Sequence, residues 1–214
     1  PSEAPRGADE VVVVLDFGSQ FSRLIARRLW ESHVYCEIYP PTVVEGQLSH
    51  LNVTGFILSG GPASVFDHDA PQLPAIVFSQ AVPGLGICYG MQTMAAQLGG
   101  VVETSKEREY GFSEIRSISS SPLMDGLYDR LDDNGTGFLQ VWMSHGDKVI
   151  NLPDTFEVLA SSKGSPFSAV RCKELKVYGL QFHPEVVHTE FGEIVLSNFV
   201  LDVCGCHDTW TMSG

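Results

Sequence analysis

An unbroken apolar run near the N-terminus, Val11-Val12-Val13-Val14-Leu15, places the strongest constraint on the fold. A strand without polar alternation is typical of a parallel sheet that helices cover on both faces. Apolar residues then recur at helical spacing over residues 21–29, and strand-like runs follow at residues 34–39 and 55–58. This β-α-β-α order predicts an α/β fold with a mainly parallel open sheet.

Beyond Gly99-Gly100 the pattern changes to short strand-like runs separated by turn residues. They predict an antiparallel or mixed extension of the sheet, at residues 112–118, 138–143, 156–161, 167–171 and 177–182. A weak helix is expected over residues 73–80. A final helix is expected over residues 189–203, with Phe191, Ile194, Val195 and Phe199 on one face.

Composition limits the functions available to the 214-residue chain. The net charge of −13 argues against nucleic acid or an anionic membrane surface as the main partner. No run approaches the 18 apolar residues of a membrane span. Five scattered cysteines favour reduced thiols and a cytoplasmic location. Cys204-Gly205-Cys206-His207 resembles a metal site but has no second cluster at zinc spacing, so free thiols and no metal are expected.

The segment Gly86-Ile87-Cys88-Tyr89-Gly90 joins an apolar stretch at residues 82–87 to a helical pattern at residues 89–98. A sharp turn from strand to helix, with small residues on either side, projects its central side chain from the carboxyl edge of the sheet. The helix N-terminus beneath Cys88 is expected to favour the thiolate form. On this pentapeptide alone, a nucleophile and a buried structural cysteine fit equally well.

A nucleophilic thiol needs a base, and Gln181-Phe182-His183-Pro184-Glu185 follows directly on a predicted strand. In an extended chain residues i and i+2 point the same way, so His183 and Glu185 can share a face. Glu185 could then hold one ring nitrogen while the other faces a thiol. The alternative is a strand-end turn with a solvated carboxylate. Because this motif and Cys88 both follow strands at the edge where open sheets bind ligands, catalysis is favoured.

Other residues could complete a site for acyl transfer. In Ser59-Gly60-Gly61-Pro62, a backbone N–H of Gly60 or Gly61 could form an oxyanion hole with that of Tyr89. An ordinary glycine turn is the alternative. Gln92, one helical turn after Cys88, could hydrogen-bond a substrate amide or carboxylate, or could simply be solvated.

The segment Trp142-Met143-Ser144-His145-Gly146-Asp147 is interpreted as a strand that ends in a polar turn. Asp147 could pair there with a cationic amino group. A turn stabilised by the aspartate is the alternative, and taken alone it is favoured.

Together these motifs resemble those of the class I, triad-type glutamine amidotransferases, most closely the branch that serves GMP synthesis. The similarity covers about residues 11–210 and implies the flavodoxin-like α/β fold of that class. The forms C-Y-G-M-Q, S-H-G-D and D-F-G-S-Q separate the chain from branches that serve anthranilate or carbamoyl phosphate synthesis. The matching segments are Asp16-Phe17-Gly18-Ser19-Gln20, Ser59-Gly60-Gly61-Pro62, Gly86 to Gln92, Trp142 to Asp147 and Gln181 to Glu185.

The resemblance implies that Cys88 is the nucleophile, His183 the base and then the acid, and Glu185 the residue that orients it. Gly60, Gly61 and Tyr89 would bind the oxyanion. Glutamine would contact Gln92, Ser144, His145, Gly146 and Asp147. The ammonia would pass to an ATP-dependent synthetase domain, which binds ATP and Mg²⁺ and aminates adenylylated XMP. On this basis residues 1–8 are a flexible tail, residues 9–205 the glutaminase domain without a cofactor of its own, and residues 206–214 the start of the connection.

Two departures limit this transfer of roles. Phe21 replaces the tyrosine that usually follows D-F-G-S-Q, and residues 119–137 match no family role and are interpreted as a solvated loop. Three alternatives to the leading hypothesis stay open: an amidotransferase subunit for another synthase, a cysteine hydrolase or protease on the same fold, and a non-catalytic flavodoxin-like binding module. The last leaves Cys88, His183 and Glu185 unexplained.

Overall fold

The computed structural model describes residues 10–18, 21–43, 45–61, 64–186, 189 and 191–211, and at residues 105–108 the backbone alone. The expected tail at residues 1–8 lies outside these residues, as do Ser19, Gln20, Pro62 and residues 212–214. Within the described part, ten strands form one sheet. They are β1 (Glu10–Leu15), β2 (Cys36–Tyr39), β3 (Asn52–Leu58), β4 (Gly84–Ile87), β5 (Val101–Ser117), β6 (Arg130–Leu131), β7 (Gly137–Asn151), β8 (Phe156–Ser161), β9 (Ala169–Cys172) and β10 (Val177–Leu180).

One half of the sheet is parallel, as the alternation of strands and helices predicts. Its strand order is β2-β1-β3-β4-β10, and every neighbouring pair is parallel. The carboxyl ends of β3, β4 and β10 therefore meet at one edge. Because Ser59, Cys88 and Gln181 follow directly on these strands, three of the sequence motifs converge there.

The other half is the antiparallel extension expected beyond Gly100, in the order β10-β9-β8-β5-β7-β6. Strand β5 begins at Val101 and is much longer than the predicted run at residues 112–118. It pairs with β7 along most of its length, with a register shift between Thr104 and Glu109. The two long strands form a ribbon that runs from the pair Val101 and Asn151 to the pair Arg116 and Phe138.

Helices cover both faces of the parallel half. They are α1 (Phe21–Glu31), α2 (Glu45–Leu48), α3 (Ile76–Ser79), α4 (Tyr89–Gln97) and α5 (Gly192–Ser197), with a 3₁₀ turn at Pro122–Met124 and a π-helix at Asn198–Val203. Successive residues of β1 point to opposite faces. Val12 and Val14 pack with Ile25 of α1 and Phe199 of the π-helix. On the opposite face, Val11, Val13 and Leu15 pack with Ile76 and Val77 of α3 and with Tyr89 and Met94 of α4.

The C-terminal helix differs from the prediction for residues 189–203. Its regular α-helical part, α5, spans Gly192–Ser197, and the chain continues as a π-helix. Val195 and Phe199 are buried as expected, whereas Phe191 is 45% exposed. Phe191 precedes the helix in a left-handed conformation, with φ of 56°, and so lies outside the helical repeat from which the apolar face was predicted.

The polar stretch at residues 119–137 is not the solvated loop expected from its composition. Leu123, Met124 and Leu127 are buried in the same core as the C-terminal helices. The side-chain amide of Asn198 donates to the carbonyls of Leu123 and Asp125, at 2.9 and 2.8 Å. These bonds cap the 3₁₀ turn and hold the stretch against the domain.

Residues 206–211 return to the domain. The backbone N–H of Trp210 donates to the carbonyl of His33 at 3.0 Å, and the indole lies near the rings of Trp30 and Tyr35. The assignment of residues 206–214 as the start of a connection stays a prediction. None of the helices among the described residues is both long and apolar enough to cross a membrane.

Candidate active site

Cys88 occupies a sharp turn between β4, which ends at Ile87, and α4, which begins at Tyr89. Its φ and ψ are 53° and −107°, a conformation that is strained for any residue with a side chain. Gly86 and Gly90, which flank this turn, lie so close to neighbouring backbone that neither has room for a side chain. A Cβ on Gly86 would lie 2.8 Å from the backbone of Gly90, and a Cβ on Gly90 would lie 2.3 Å from the carbonyl oxygen of Leu58.

His183 and Glu185 lie on one side of the chain, as their spacing predicts. Nδ1 of His183 is 3.1 Å from Oε2 of Glu185, and the two side chains are almost completely buried. Burial lowers the pKa of His183, but the charge of Glu185 and hydrogen bonds to Cys88 and Glu185 raise it to about 10. At neutral pH the ring is therefore an imidazolium. The strand-end turn of the alternative is present at Pro184 and Glu185, but its carboxylate is not solvated, because Glu185 has no exposed surface.

The Cys88 sulfur has further polar neighbours besides the histidine. It lies 3.6 Å from the carbonyl oxygen of Ser144 on β7. The side-chain amide of Gln181 donates to it at 3.7 Å, and Gln181 is fully buried.

The two glycines of the predicted oxyanion turn have different surroundings. A Cβ on Gly60 would lie 3.1 Å from Cε1 of His183 and 3.4 Å from Cβ of Cys88, so Gly60 adjoins the reactive pair. A Cβ on Gly61 would instead lie 2.3 Å from the carbonyl oxygen of Phe17. The N–H of Tyr89, the first residue of α4, has no acceptor within the helix and follows the nucleophile directly.

Buried hydroxyl groups fix the glycine turn at Ser59 to Gly61. The hydroxyl of Ser59 donates to the carbonyl of Leu15 at 2.9 Å and lies 2.8 Å from that of Ser22. Ser22 in turn donates to Asp16 at 3.0 Å. These bonds join Asp16 of the D-F-G motif to Ser59 of the glycine turn through Ser22.

The predicted polar turn at Ser144 to Asp147 is wrong, because these residues lie inside strand β7. They pair with β5, where His145 opposes Glu109 and Asp147 opposes Thr104. Nε2 of His145 is 3.0 Å from Oε1 of Glu109, so a partner remote in sequence satisfies a polar residue within the strand. Burial lowers the pKa of His145 despite this carboxylate.

The residues expected to contact glutamine form one connected group beside Cys88. Gln92 is buried rather than solvated, and its amide donates to the carbonyl of Asp147 at 2.9 Å. Nδ1 of His145 is also 2.9 Å from that carbonyl oxygen. The hydroxyl of Ser64 donates to the carboxylate of Asp147. The structure thus places Gln92, Ser144, His145 and Asp147, with Gly146 between them, at the same edge of the sheet as Cys88 and His183.

Three residues near the triad were given no role by sequence reasoning. They are Gln181, which contacts Cys88; Arg28, whose Nε donates to the carbonyl of Glu185 at 3.3 Å; and Thr189, whose hydroxyl donates to the carbonyl of His183 at 2.7 Å. Gln181 begins the Gln181 to Glu185 motif and follows directly on β10, so its position in the sequence could have predicted a place near Cys88. Arg28 acts on a backbone carbonyl 157 positions away, and Thr189 bonds both the His183 carbonyl, six positions before it, and the Trp142 N–H, 47 positions away, so neither contact leaves a pattern in the local sequence.

All five cysteines lie within the described residues and are free thiols. The sulfur of Cys206 is 3.1 Å from the hydroxyl of Thr54, and that of Cys204 packs against Gly55. In the part of the chain that the structure describes, no three His, Cys, Asp or Glu side chains are grouped to hold a metal ion.

Comparison with known proteins identifies relatives of the whole domain. The family model "Glutamine amidotransferase class-I" matches residues 13–203. A protein of Methylobacillus flagellatus named GMP synthase (glutamine-hydrolyzing) is 49% identical over 94% of this chain and 38% of its own length. One of the same name from an Azoarcus species is 51% identical over 94% of this chain and 39% of its own length. The chain therefore spans less than two fifths of these relatives.

Solved structures give the same result for the fold. A Thermoplasma acidophilum protein named as one subunit of a GMP synthase is 30% identical, with a TM-score of 0.76 over 91% of this chain and 94% of that one. A glutamine amidotransferase of Thermotoga maritima has a TM-score of 0.63 at 21% identity, over 94% of this chain and 87% of that one. The α/β fold that the sequence predicts is confirmed.

Proposed function

The chain belongs to the class I glutamine amidotransferases, and from this we propose that it is the glutaminase part of a GMP synthase. In this role it hydrolyses L-glutamine to glutamate and ammonia. The observation that carries the proposal is the buried, hydrogen-bonded pair of His183 and Glu185 beside Cys88, which occupies the strained strand–helix turn. That set is the orienting acid, base and nucleophile which acyl transfer requires.

The first half of the proposed reaction forms a thioester. The Cys88 thiolate attacks the side-chain carbonyl carbon of glutamine, a C–S bond forms, and the carbonyl electron pair moves to oxygen. Backbone N–H groups of Tyr89 and of Gly60 or Gly61 stabilise this oxyanion. The His183 imidazolium gives its proton to the amide nitrogen, the C–N bond breaks, and ammonia leaves.

The second half regenerates the enzyme. Neutral His183 takes a proton from a water molecule, whose oxygen forms a bond to the thioester carbon. The C–S bond breaks, glutamate leaves after its new carboxyl group loses a proton, and Cys88 returns to the thiolate beside the imidazolium. Glu185 holds Nδ1 of the ring through both proton transfers and stabilises the cation.

Glutamine selectivity is proposed to come from the group on β7 and α4. The carboxylate of Asp147 offers a negative charge for the α-ammonium of glutamine. Gln92 and the backbone from Ser144 to Gly146 supply neutral hydrogen-bonding groups beside it. The bond between Gln92 and Asp147 links the two elements, so that they form one preorganised surface.

The fate of the ammonia is inferred from the relatives. Their shared name and the length beyond the matched region support an ATP-dependent synthetase part that aminates adenylylated XMP to GMP, in guanine nucleotide biosynthesis. ATP and Mg²⁺ are assigned to that part, and the glutaminase domain is proposed to need no cofactor. A cytoplasmic location is proposed from the five free cysteines.

Glutamate release from glutamine tests the proposal. The chain and its Cys88→Ala variant are assayed alone, and then with a separately produced synthetase part, XMP, ATP and Mg²⁺. We expect weak turnover alone, stimulation by the complete mixture, and none from the variant. Absence of glutamate release by the unmodified chain in the complete mixture would refute the glutaminase assignment.

A further inference from the structure

Strand β7 supports both the nucleophile and the base through its backbone. At Trp142, the carbonyl oxygen accepts the backbone N–H of His183 at 3.1 Å. Two residues further on, the carbonyl oxygen of Ser144 lies 3.6 Å from the sulfur of Cys88. Carbonyl groups two residues apart in a strand point the same way, so one strand edge carries both contacts.

The hydroxyl of Thr189 forms a hydrogen-bonded bridge between this edge of β7 and the backbone of His183. Its hydroxyl accepts the backbone N–H of Trp142 at 2.9 Å and donates to the carbonyl of His183 at 2.7 Å. Together with the bond from His183 N–H to Trp142, these contacts form a closed ring of three hydrogen bonds. The hydroxyl therefore accepts the Trp142 N–H in place of the backbone carbonyl that a neighbouring strand would supply.

The location of Thr189 separates this task from contact with the reacting atoms. Thr189 is buried, and each hydrogen bond of its hydroxyl ends on a backbone group. Its effect on chemistry passes through the main chains of His183 and Trp142. A buried hydroxyl that both donates and accepts cannot be replaced by a methyl group without leaving two backbone groups short of a partner.

We propose that Thr189 is a positioning residue of the triad, whose hydroxyl ties the main chain of His183 to Trp142 on β7, the strand that also adjoins Cys88 at Ser144. The part of this proposal that is tested by glutamine turnover rests on the proposed glutaminase function. The influence of His183 on the reactivity of the Cys88 thiol can be measured without glutamine.

The test compares Thr189→Val, which keeps the shape and removes the hydroxyl, with Thr189→Ser, which keeps the hydroxyl. Thr54→Val is the matched control, because it removes a hydroxyl bonded to the Val11 carbonyl at the opposite end of β3. Each protein is assayed for glutamate release in the complete mixture. The rate at which iodoacetamide alkylates Cys88 is followed from pH 5 to 10 by mass spectrometry of the Cys88 peptide.

For Thr189→Val we expect kcat to fall about ten- to hundredfold with KM changed by less than about twofold. Its Cys88 alkylation profile should shift, while Thr189→Ser and Thr54→Val should follow the unmodified chain. Unchanged kcat and an unchanged alkylation profile for Thr189→Val would overturn the proposal. A rise in KM alone would also overturn it, since it would place Thr189 in substrate binding.

Two further results keep the test decisive. If Thr189→Val does not fold, as judged by its melting curve, Thr189→Ala against Thr189→Ser gives the same comparison. If the unmodified chain releases no glutamate, the proposed function fails. The alkylation profiles still support or overturn the role of Thr189 in that case.

Discussion

The ring of Phe21 lies against the imidazole of His183, with centroids 4.8 Å apart and planes inclined by 39°. An aromatic face beside an imidazolium stabilises the charged form, in addition to the carboxylate of Glu185. Phe21, at a position where the family resemblance implies a tyrosine, therefore contacts His183 through its ring alone. No hydroxyl group is needed for this contact.

Phe21→Leu is expected to lower the pKa of His183, because the variant loses the aromatic face and keeps the apolar surroundings. Since His183 must be protonated to release ammonia, the alkaline limb of the kcat profile should move to lower pH. Phe156→Leu, a substitution of a partly buried phenylalanine on β8, is the control. A limb that stays in place in Phe21→Leu would show that the ring only fills space.

The elevated pKa of His183 also predicts how stability depends on pH. The folded protein keeps this proton up to about pH 10, whereas the unfolded chain releases it near pH 6.5. The stabilising contribution is therefore complete below about pH 6.5 and is lost as pH rises through about 10. Glu185→Gln removes the charge that raises the pKa.

Thermal melts of the unmodified chain and Glu185→Gln across pH 6 to 10 measure this contribution. The difference in melting temperature between the two proteins should be largest at the acid end and shrink as pH increases. A difference that is constant with pH would mean that Glu185 stabilises the fold independently of the histidine charge.

The strained backbone at Cys88 predicts that the residue which activity requires there makes the folded protein less stable than glycine would. Cys88→Ala and Cys88→Gly should both be inactive, but glycine adopts a φ of 53° and a ψ of −107° without strain. The free energy of unfolding of Cys88→Gly should therefore exceed that of Cys88→Ala by about 1 kcal/mol. Urea denaturation of the two variants measures the difference, and greater stability of the alanine variant would contradict the idea of stored strain.

Parts of this site follow from sequence because they depend on local spacing. The turn at Cys88 needs small residues at Gly86 and Gly90. The pairing of His183 with Glu185 needs only their spacing of two residues, although the structure reaches it through a turn at Pro184 and Glu185 and not through an extended chain. Both patterns are complete within five residues, and the structure contains both geometries.

The parts that sequence does not indicate depend on distant partners. Polar residues usually end strands, which predicts a turn at Asp147, but pairing with β5 allows β7 to continue through it. Thr189 meets Trp142 across 47 positions of the chain. The stretch at residues 119–137 is polar on average, although Leu123 and Leu127 anchor it in the core.

Gly60 and Gly61 are adjacent, yet the structure predicts that replacing them with alanine affects different properties of the protein. A Cβ at Gly60 would meet two side chains, the ring of His183 at 3.1 Å and Cys88 at 3.4 Å, which can shift by a few tenths of an ångström. A Cβ at Gly61 would meet the backbone carbonyl oxygen of Phe17 at 2.3 Å, which cannot shift without moving the chain. The first change should therefore affect catalysis, and the second should affect folding.

We expect Gly60→Ala to keep its melting temperature within a few degrees while kcat falls about a hundredfold, because the ring moves relative to the thiol and the oxyanion turn. Gly61→Ala should lower the melting temperature by a larger amount, as backbone overlap destabilises the packed core. Gly46→Ala is the control, since nothing lies within 4 Å of the added Cβ. If Gly60→Ala and Gly61→Ala lose stability equally, the division of labour between the two glycines is wrong.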